Sequence, residues 1–277
     1  MTINIVTDST ADLSPTICRE WGITVVPAIV RFGHEVFRDG VDITPEDFYT
    51  RLATSPVHPH TSQPSPEDFA NALCQASATS QGVVSIHATA KLSGIYNSAL
   101  QGKAIVGEKC PIVVLDSRFT SVGLGLVVLA AAKAARAGAT MSEALTEARQ
   151  AITEIKMLGL FDTMEYLIRS GRVSHIKGIA SRILGIKPIL TFKDGEIVQS
   201  GLARTYNRGV NKIVDFVKSQ KRIVSLAITH SRVPNRVAEL KEKLADFISP
   251  ETVMVSELGP ALGVHGGPGV LAIAVRT

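Results

Sequence analysis

Short apolar runs alternate with longer amphipathic stretches along the first half of the chain. The runs typical of buried parallel strands are residues 3–7, 83–86 and 112–115. Helical stretches begin near Gly94 and cover residues 120–137 and 142–156. Alternation at these lengths predicts an open parallel sheet with helices on both faces.

Three hydroxyl residues followed by proline mark predicted helix starts, namely Ser14-Pro15, Thr44-Pro45 and Ser65-Pro66. A hydroxyl side chain accepts a hydrogen bond from the first turn, and proline suits the first helical position. Carboxylates follow at the second and third of these sites, where the helix dipole favours them.

The second half has a different pattern. Asp194-Gly195 lies between the strand-like residues 188–192 and 196–202, which predicts a β-hairpin. Further strands are predicted at residues 223–228, 252–255 and 270–275, with helices near residues 208–219 and 234–247. A hairpin within an α/β pattern predicts a mixed sheet. We therefore expect an α/β protein of two domains, 1–157 and 158–277, with a ligand in the cleft between them.

Composition narrows the function classes. The 277 residues are 45% hydrophobic and 19% charged, with a net charge of +4 and mean hydropathy +0.21. No cluster of lysine and arginine alternates with aromatic residues, so we expect no nucleic-acid partner. Cys18, Cys74 and Cys110 are predicted to be buried, reduced thiols, and the longest apolar run, residues 122–132, is too short to span a bilayer. These features predict a soluble, cytoplasmic protein.

Candidate chemistry lies in three segments, Thr61-Ser62-Gln63-Pro64, Leu92-Ser93-Gly94 and His265-Gly266-Gly267-Pro268-Gly269. The first two place hydroxyl groups before predicted helices, whose N-termini attract anions. The third places one imidazole beside glycines that let the backbone approach a ligand. Together they predict a site for a carboxylate or phosphate, without residues suited to breaking a bond.

Each of these residues also has a structural interpretation. Thr61, Ser62 and Ser93 are equally suited to capping helices, and a single His265 beside glycines is often structural. Arg169, Arg172 and Arg204 are either solvated surface charges or lie at the mouth of the cleft, and the sequence leaves their role open.

Other functions have weaker signals. A serine hydrolase would use Ser93 as nucleophile, His265 or His87 as base, and Asp8 or Asp116 to orient that base, but Ser93 lacks the Gly-x-Ser-x-Gly elbow.

Two ligand classes are weaker still. Gly123-Leu124-Gly125 begins a dinucleotide-like pattern, but Val128 occupies the third glycine position and no phosphate-binding loop sequence occurs. For a metal, His58-Pro59-His60 has no further ligands nearby in sequence. We therefore expect no cofactor and no metal.

Four further segments accompany the three candidate segments, namely Thr7-Asp8-Ser9-Thr10-Ala11-Asp12-Leu13, Arg169-Ser170-Gly171-Arg172-Val173, Leu184-Gly185-Ile186-Lys187-Pro188-Ile189-Leu190 and Arg204-Thr205. On these segments the chain resembles the DegV family of bacterial fatty-acid-binding proteins over essentially its whole length. His87 departs from the small, hydroxyl-rich residues usual in the family, and we expect it to narrow or polarise one wall of the pocket.

The resemblance implies a long-chain fatty acid between two domains. Its carboxylate would meet Thr61, Ser62 and Ser93, with His265 near the head group. It further implies a carrier without catalytic activity of its own, which presents the fatty acid to a separate kinase. That kinase forms acyl-phosphate from ATP for phospholipid synthesis.

Overall fold

The computed structural model describes residues 3–108, 110–172, 185–249 and 252–277. The strands are β1 Ile3–Asp8, β2 Ile23–Val26, β3 Ile29–Phe32, β4 Glu35–Arg38, β5 His60–Ser62, β6 Gly82–His87, β7 Ile112–Asp116, β8 Ile155–Leu160, β9 Lys187–Lys193, β10 Glu196–Ala203, β11 Ser225–His230, β12 Met254–Glu257 and β13 Leu271–Arg276. The helices are α1 Pro15–Trp21, α2 Pro45–Thr54, α3 Pro66–Ala78, α4 Ile95–Val106, α5 Ser121–Arg136, α6 Met141–Glu154, α7 Glu165–Ser170, α8 Tyr206–Lys218, α9 Pro234–Leu244 and α10 Pro260–Gly266. Val173 and Leu184, which belong to the family-like segments, lie outside the described residues.

The three predicted hydroxyl-proline starts are confirmed. Ser14, Thr44 and Ser65 are the N-caps of α1, α2 and α3, and each side chain accepts a hydrogen bond from the first helical turn. At α3 the cap is reciprocal, because the Asp68 carboxylate also accepts from the Ser65 backbone N–H.

The predicted parallel sheet is also confirmed, with strand order β2-β1-β6-β7 and every neighbouring pair parallel. Its two central strands, β1 and β6, are almost entirely buried, as expected for a parallel sheet covered by helices. Because the strands run in one direction, the residues that follow them lie together beyond the carboxyl ends of the strands. Thr10 follows β1 and Ala88 follows β6 at these ends.

A small antiparallel sheet of order β4-β3-β5 was not predicted. In it, β5 pairs with β3 through Val30 and Thr61 and through Ile29 and Ser62. Thr61 and Ser62 therefore lie on a strand, and their predicted alternative role as helix caps is wrong.

The third sheet is mixed, as predicted, with order β10-β9-β8-β13-β11-β12. The predicted hairpin joins β9 and β10, which pair antiparallel around Asp194 and Gly195. The helix expected to continue to residue 156 ends instead at Glu154, and β8 begins at Ile155. Isoleucine here is already buried against the neighbouring strand β13.

Helix α5 contacts strands of both larger sheets. Every residue from Ser121 to Ala132 is buried, as expected for a helix that is apolar on all sides. On β13, the small residues Ala272 and Ala274 belong to the core that contains α5, whereas Leu271, Ile273 and Val275 fill a second core beneath α8 and α9. The division into domains at residues 157 and 158 remains a prediction.

The cysteines differ partly from expectation. Cys18 is buried, but Cys74 is exposed on α3 and Cys110 is half-buried, and all three are free thiols. The prediction that all are buried is therefore wrong for two of them. Within the residues described here, no helix is both long and apolar enough to cross a membrane.

Candidate functional site

A cavity of about 220 Å³ lies where the three sheets approach one another. Residues from both halves of the chain line it. The predicted site residues Thr61, Ser62, Ser93 and His265 are all among them. The structure thus brings together four residues that span more than two hundred positions of sequence.

Thr61 and His265 contact each other directly at the polar side of the cavity. Thr61 Oγ1 on β5 lies 3.0 Å from His265 Nε2 in the last turn of α10. The other ring nitrogen, Nδ1, is buried and has no hydrogen-bond partner in the described part of the chain. Because an orphaned buried N–H is rarer than an unsatisfied acceptor, this favours the tautomer protonated at Nε2. Thr61 then accepts from His265, and its own hydroxyl proton is free to donate into the cavity.

His265 is uncharged near neutral pH. Burial, followed by the nearby charges of Arg172 and His58, lowers its pKa to about 3. The imidazole therefore brings no positive charge to the cavity. Its Nε2–H donates to Thr61 and so orients the Thr61 hydroxyl group.

Two helix N-termini also face the cavity. Ser93, Gly94 and Ile95 line it at the start of α4, and Thr120 lines it at the start of α5. Neither helix has a side-chain cap hydrogen bond. Ser93 Oγ accepts a weak bond from the Ile95 N–H at 3.3 Å and retains its own proton for donation. Uncapped first turns carry the partial positive charge that attracts anions.

Thr120 and Gln63 are cavity residues that sequence reasoning missed as site residues. Gln63 packs its amide against Gly94, where a Cβ atom would lie 3.0 Å from the amide carbon and nitrogen. A signal for Thr120 was present in the sequence, because it is the first residue of the predicted helix 120–137 and follows the predicted strand 112–115.

The glycines beside His265 have a different role from the one predicted. None of Gly266, Gly267 and Gly269 lines the cavity. A Cβ atom on Gly267 would overlap the Tyr166 ring, and one on Gly269 would lie 2.6 Å from the Asp162 Cβ atom. The expectation that these glycines let backbone approach a ligand is therefore wrong, because side chains of α7 and its preceding loop occupy the space.

The three arginines occupy different environments. Arg172 is exposed and lines the cavity. Arg169 forms an exposed ion pair with Glu165 on α7, and Arg204 is exposed and does not line the cavity. Of the three, Arg172 is the one placed to attract an anion.

His87 does not polarise the pocket wall, so that expectation is wrong. Its side chain is fully buried, with Nδ1 3.0 Å from Asp8 Oδ2 and Nε2 2.6 Å from Ser85 Oγ. Its ring packs edge-on against Phe69. The Asp8–His87–Ser85 arrangement resembles a catalytic triad, but all three residues have zero exposure and no substrate reaches them.

The remaining alternatives gain no support from the geometry. The Asp116 carboxylate accepts from the backbone N–H groups of Ala90 and Arg118 rather than from a histidine. Gly123 and Gly125 pack inside α5 against Phe119 and Ala11, so they form no phosphate cradle. Within the described ranges, no group of three potential ligands is arranged to hold a metal ion.

Comparisons with known proteins agree with this architecture. The DegV family model, described as "Uncharacterised protein, DegV family", matches residues 2–277. A DegV domain-containing protein of Caldanaerobacter subterraneus is 33% identical, over 96% of this chain and 95% of its own length. A solved DegV family protein of Thermus thermophilus, described by its fatty acid binding, superposes with TM-score 0.91 at 30% identity, with full coverage of both chains. A stearic-acid-binding protein of Eubacterium ventriosum gives TM-score 0.88 at 26% identity, covering 99% of this chain and 98% of its own. On the match over nearly its whole length, this chain belongs to the DegV family.

Proposed function

We propose that this protein binds one long-chain fatty acid and presents its carboxylate to a separate fatty acid kinase, which forms the acyl-phosphate. The fatty acid lies between two domains of the protein, 1–157 and 158–277. The protein acts as a cytoplasmic carrier and has no catalytic activity of its own. The proposal rests mainly on the convergence of Thr61, Ser62, Ser93 and His265 on one cavity.

The polar end of the cavity suits a carboxylate. A buried carboxylate without partners loses several kcal/mol of hydration. Here the hydroxyl groups of Thr61 and Ser93 donate to it, and first-turn N–H groups of α4 face it. Hydrogen bonds to a charged group contribute about 1.5–3 kcal/mol each, so two or three offset the lost hydration.

The acyl chain has apolar walls to contact, among them Leu92, Ile95, Leu167, Ile197 and Leu262. About fourteen methylenes at roughly 0.8 kcal/mol each supply on the order of 11 kcal/mol of transfer free energy, from which lost ligand freedom subtracts several. The cavity of about 220 Å³ is smaller than the ~300–1,000 Å³ usual for ligand pockets. We therefore expect these walls to separate when the chain enters.

Relatives support the ligand class. The Thermus thermophilus protein is described as fatty acid binding, and the Eubacterium ventriosum protein as binding stearic acid. For the kinase step, the carboxylate has to remain reachable, because phosphoryl transfer needs near in-line approach to the γ-phosphate. Exposed Arg172 on the cavity wall is consistent with a head group close to solvent.

The ligand is tested first on the purified protein. Native mass spectrometry and lipid extraction are expected to find about one long-chain fatty acid per chain. An empty protein that binds neither oleate nor palmitate contradicts the proposal. With ATP, acyl-phosphate is expected only when the kinase and this protein are both present.

The head-group residues are tested by Thr61→Ala and Ser93→Ala. Each is expected to weaken oleate binding about tenfold, because one charge-assisted hydrogen bond is lost, with little change in melting temperature. Ser65→Ala is the matched control, since Ser65 caps α3 close by without lining the cavity. It is expected to cost about 1 kcal/mol of stability and leave oleate affinity unchanged. The reverse pattern would mean that Thr61 and Ser93 are structural.

A further inference from the structure

The short helix α10 places His265 at the cavity, and contacts with other elements determine the position of the helix. It has seven residues, Pro260–Gly266, and helices of that length have little stability of their own. It packs closely on α2, where a Cβ atom on Gly263 would lie 2.6 Å from the Phe48 ring. The placement of the imidazole therefore depends on what holds the ends of α10.

The amino-terminal end of α10 rests on a buried carboxyl group distant in sequence. The Gly259 N–H donates to Asp12 Oδ1 at 2.9 Å, across 247 positions of the chain. Asp12 is buried, and its backbone is left-handed, with φ of 50°. A second buried carboxyl group, Asp39, lies beside the same end of the helix, because a Cβ atom on Gly259 would be 3.5 Å from its Oδ1 atom. This end of the helix thus sits on side chains of the first forty residues.

The other oxygen of Asp12 holds the start of α5. Ser121 Oγ donates to Asp12 Oδ2 at 2.5 Å, and Ser121 also has an unfavourable left-handed backbone, with φ of 53°. The preceding residue, Thr120, lines the cavity. One carboxyl group therefore bridges two helices that both border the head-group end.

We propose that Asp12 is a positioning residue for the fatty-acid head group, whose carboxyl group fixes α10, and with it His265, against the amino terminus of α5. His265 lies six residues beyond Gly259, about 9 Å along the helix. A tilt or shift at the bridge moves the imidazole away from Thr61 Oγ1. The inference rests on the proposed function and adds to it a residue that does not line the cavity.

The test is a double-mutant cycle between Asp12 and His265, with oleate binding measured by calorimetry on folded protein. Asp12→Ala is expected to weaken binding about five- to tenfold. In the His265→Ala background the same change is expected to have almost no further effect, because no imidazole is left to position. Asp12→Asn keeps an acceptor for Gly259 and is expected to bind within about twofold of wild type.

Two further variants keep the test decisive. If Asp12→Ala does not fold, Gly259→Ala perturbs the same contact from the other side, since its Cβ would lie 3.1 Å from Asp12 Oδ1. The control is Asn4→Ala, which removes a 2.8 Å hydrogen bond from the Asn4 side chain to the Ala76 carbonyl. Asn4 lies near the amino-terminal end of β1, and it does not line the cavity. The control variant is expected to lower stability and leave affinity unchanged.

The outcomes separate the inference from the function on which it rests. If wild-type protein does not bind oleate, the proposed function fails. If wild type binds but Asp12→Ala binds equally well, or weakens binding equally with and without His265, then Asp12 does not position the imidazole and the inference is overturned.

Discussion

Replacing Asp12 by asparagine is predicted to flatten the pH dependence of stability above pH 6.5. Burial, together with the charges of Asp39 and Asp8, raises the pKa of Asp12 to about 8 from 3.8, although bonds from Ser121 and Gly259 oppose the rise. A carboxyl group with a raised pKa stabilises the fold most when protonated. Its contribution is therefore complete below pH 3.8 and is lost as the pH rises towards 8.

Other groups with shifted pKa values affect the free energy of unfolding in other pH ranges. Burial raises the pKa of Asp39 to about 6, so its contribution is lost between pH 3.8 and 6. The pKa of His265 is lowered to about 3 from 6.5, so its contribution is present above pH 6.5 and is lost as the pH falls. His58 and His230 shift in the same direction as His265. Among the described residues, Asp12 is thus the group expected to set the slope of the free energy of unfolding from pH 6.5 to 8.

The size of the effect follows from the width of this window. At about 1.36 kcal/mol per pH unit, 1.5 units correspond to roughly 2 kcal/mol, and half-protonation at pH 8 reduces this to about 1.6 kcal/mol. The wild-type free energy of unfolding should fall by this amount between pH 6.5 and 8. Asp12→Asn should remain level, because its amide accepts from Gly259, donates to Ser121 and does not titrate.

The assay is urea unfolding of the ligand-free wild-type and Asp12→Asn proteins, followed by circular dichroism at half-unit pH steps. Asn4→Ala serves as a control that should keep the wild-type slope with a lower intercept, since Asn4 does not ionise. A level wild-type profile, or an unchanged slope in Asp12→Asn, would refute the reasoning from burial and neighbouring charge.

Three further outcomes are expected. Oleate at about one hundred times its dissociation constant should raise the free energy of unfolding by about 2.7 kcal/mol and the melting temperature by roughly 5–10 °C in differential scanning calorimetry. Gly263→Ala should cost about 1–3 kcal/mol and weaken oleate binding, because the added methyl group displaces α10 from the Phe48 ring. Ser85→Ala should cost about 1–3 kcal/mol by leaving His87 Nε2 without a partner, while oleate affinity, measured by titration, stays unchanged.

Features encoded by a few consecutive residues could be predicted from the sequence. The starts of α1, α2 and α3 could be predicted from Ser14, Thr44 and Ser65, because each side chain accepts a hydrogen bond from the backbone N–H three residues later. The dipeptide Asp194-Gly195 predicted the hairpin correctly, because both residues adopt the left-handed backbone conformation that this dipeptide favours. Such signals are local, and no distant contact is needed to interpret them.

Features created by distant contacts were missed or misjudged. β5 has three residues and pairs with a strand thirty positions earlier, so its hydrophobic pattern carries little information. The glycines after His265 looked suited to a ligand, yet the space beside them is filled by Tyr166 and Asp162. His87 looked like a pocket residue and is instead held in the core by Asp8 and Ser85.

The contrast between the fully buried His87 and the half-buried His265 supports the proposal that the site binds its ligand without reacting with it. His87 has the acid and serine partners of a catalytic base, but no cavity reaches them. His265 lines the cavity, but its Nε2 bonds to Thr61, and the described residues offer its Nδ1 neither an acid nor a serine. Acyl transfer needs a base that is oriented by a third group, bonded to the nucleophile and accessible to the substrate. Neither histidine meets all three conditions. Hydroxyl donors, a neutral imidazole and uncapped helix ends are instead consistent with the proposed binding of a carboxylate.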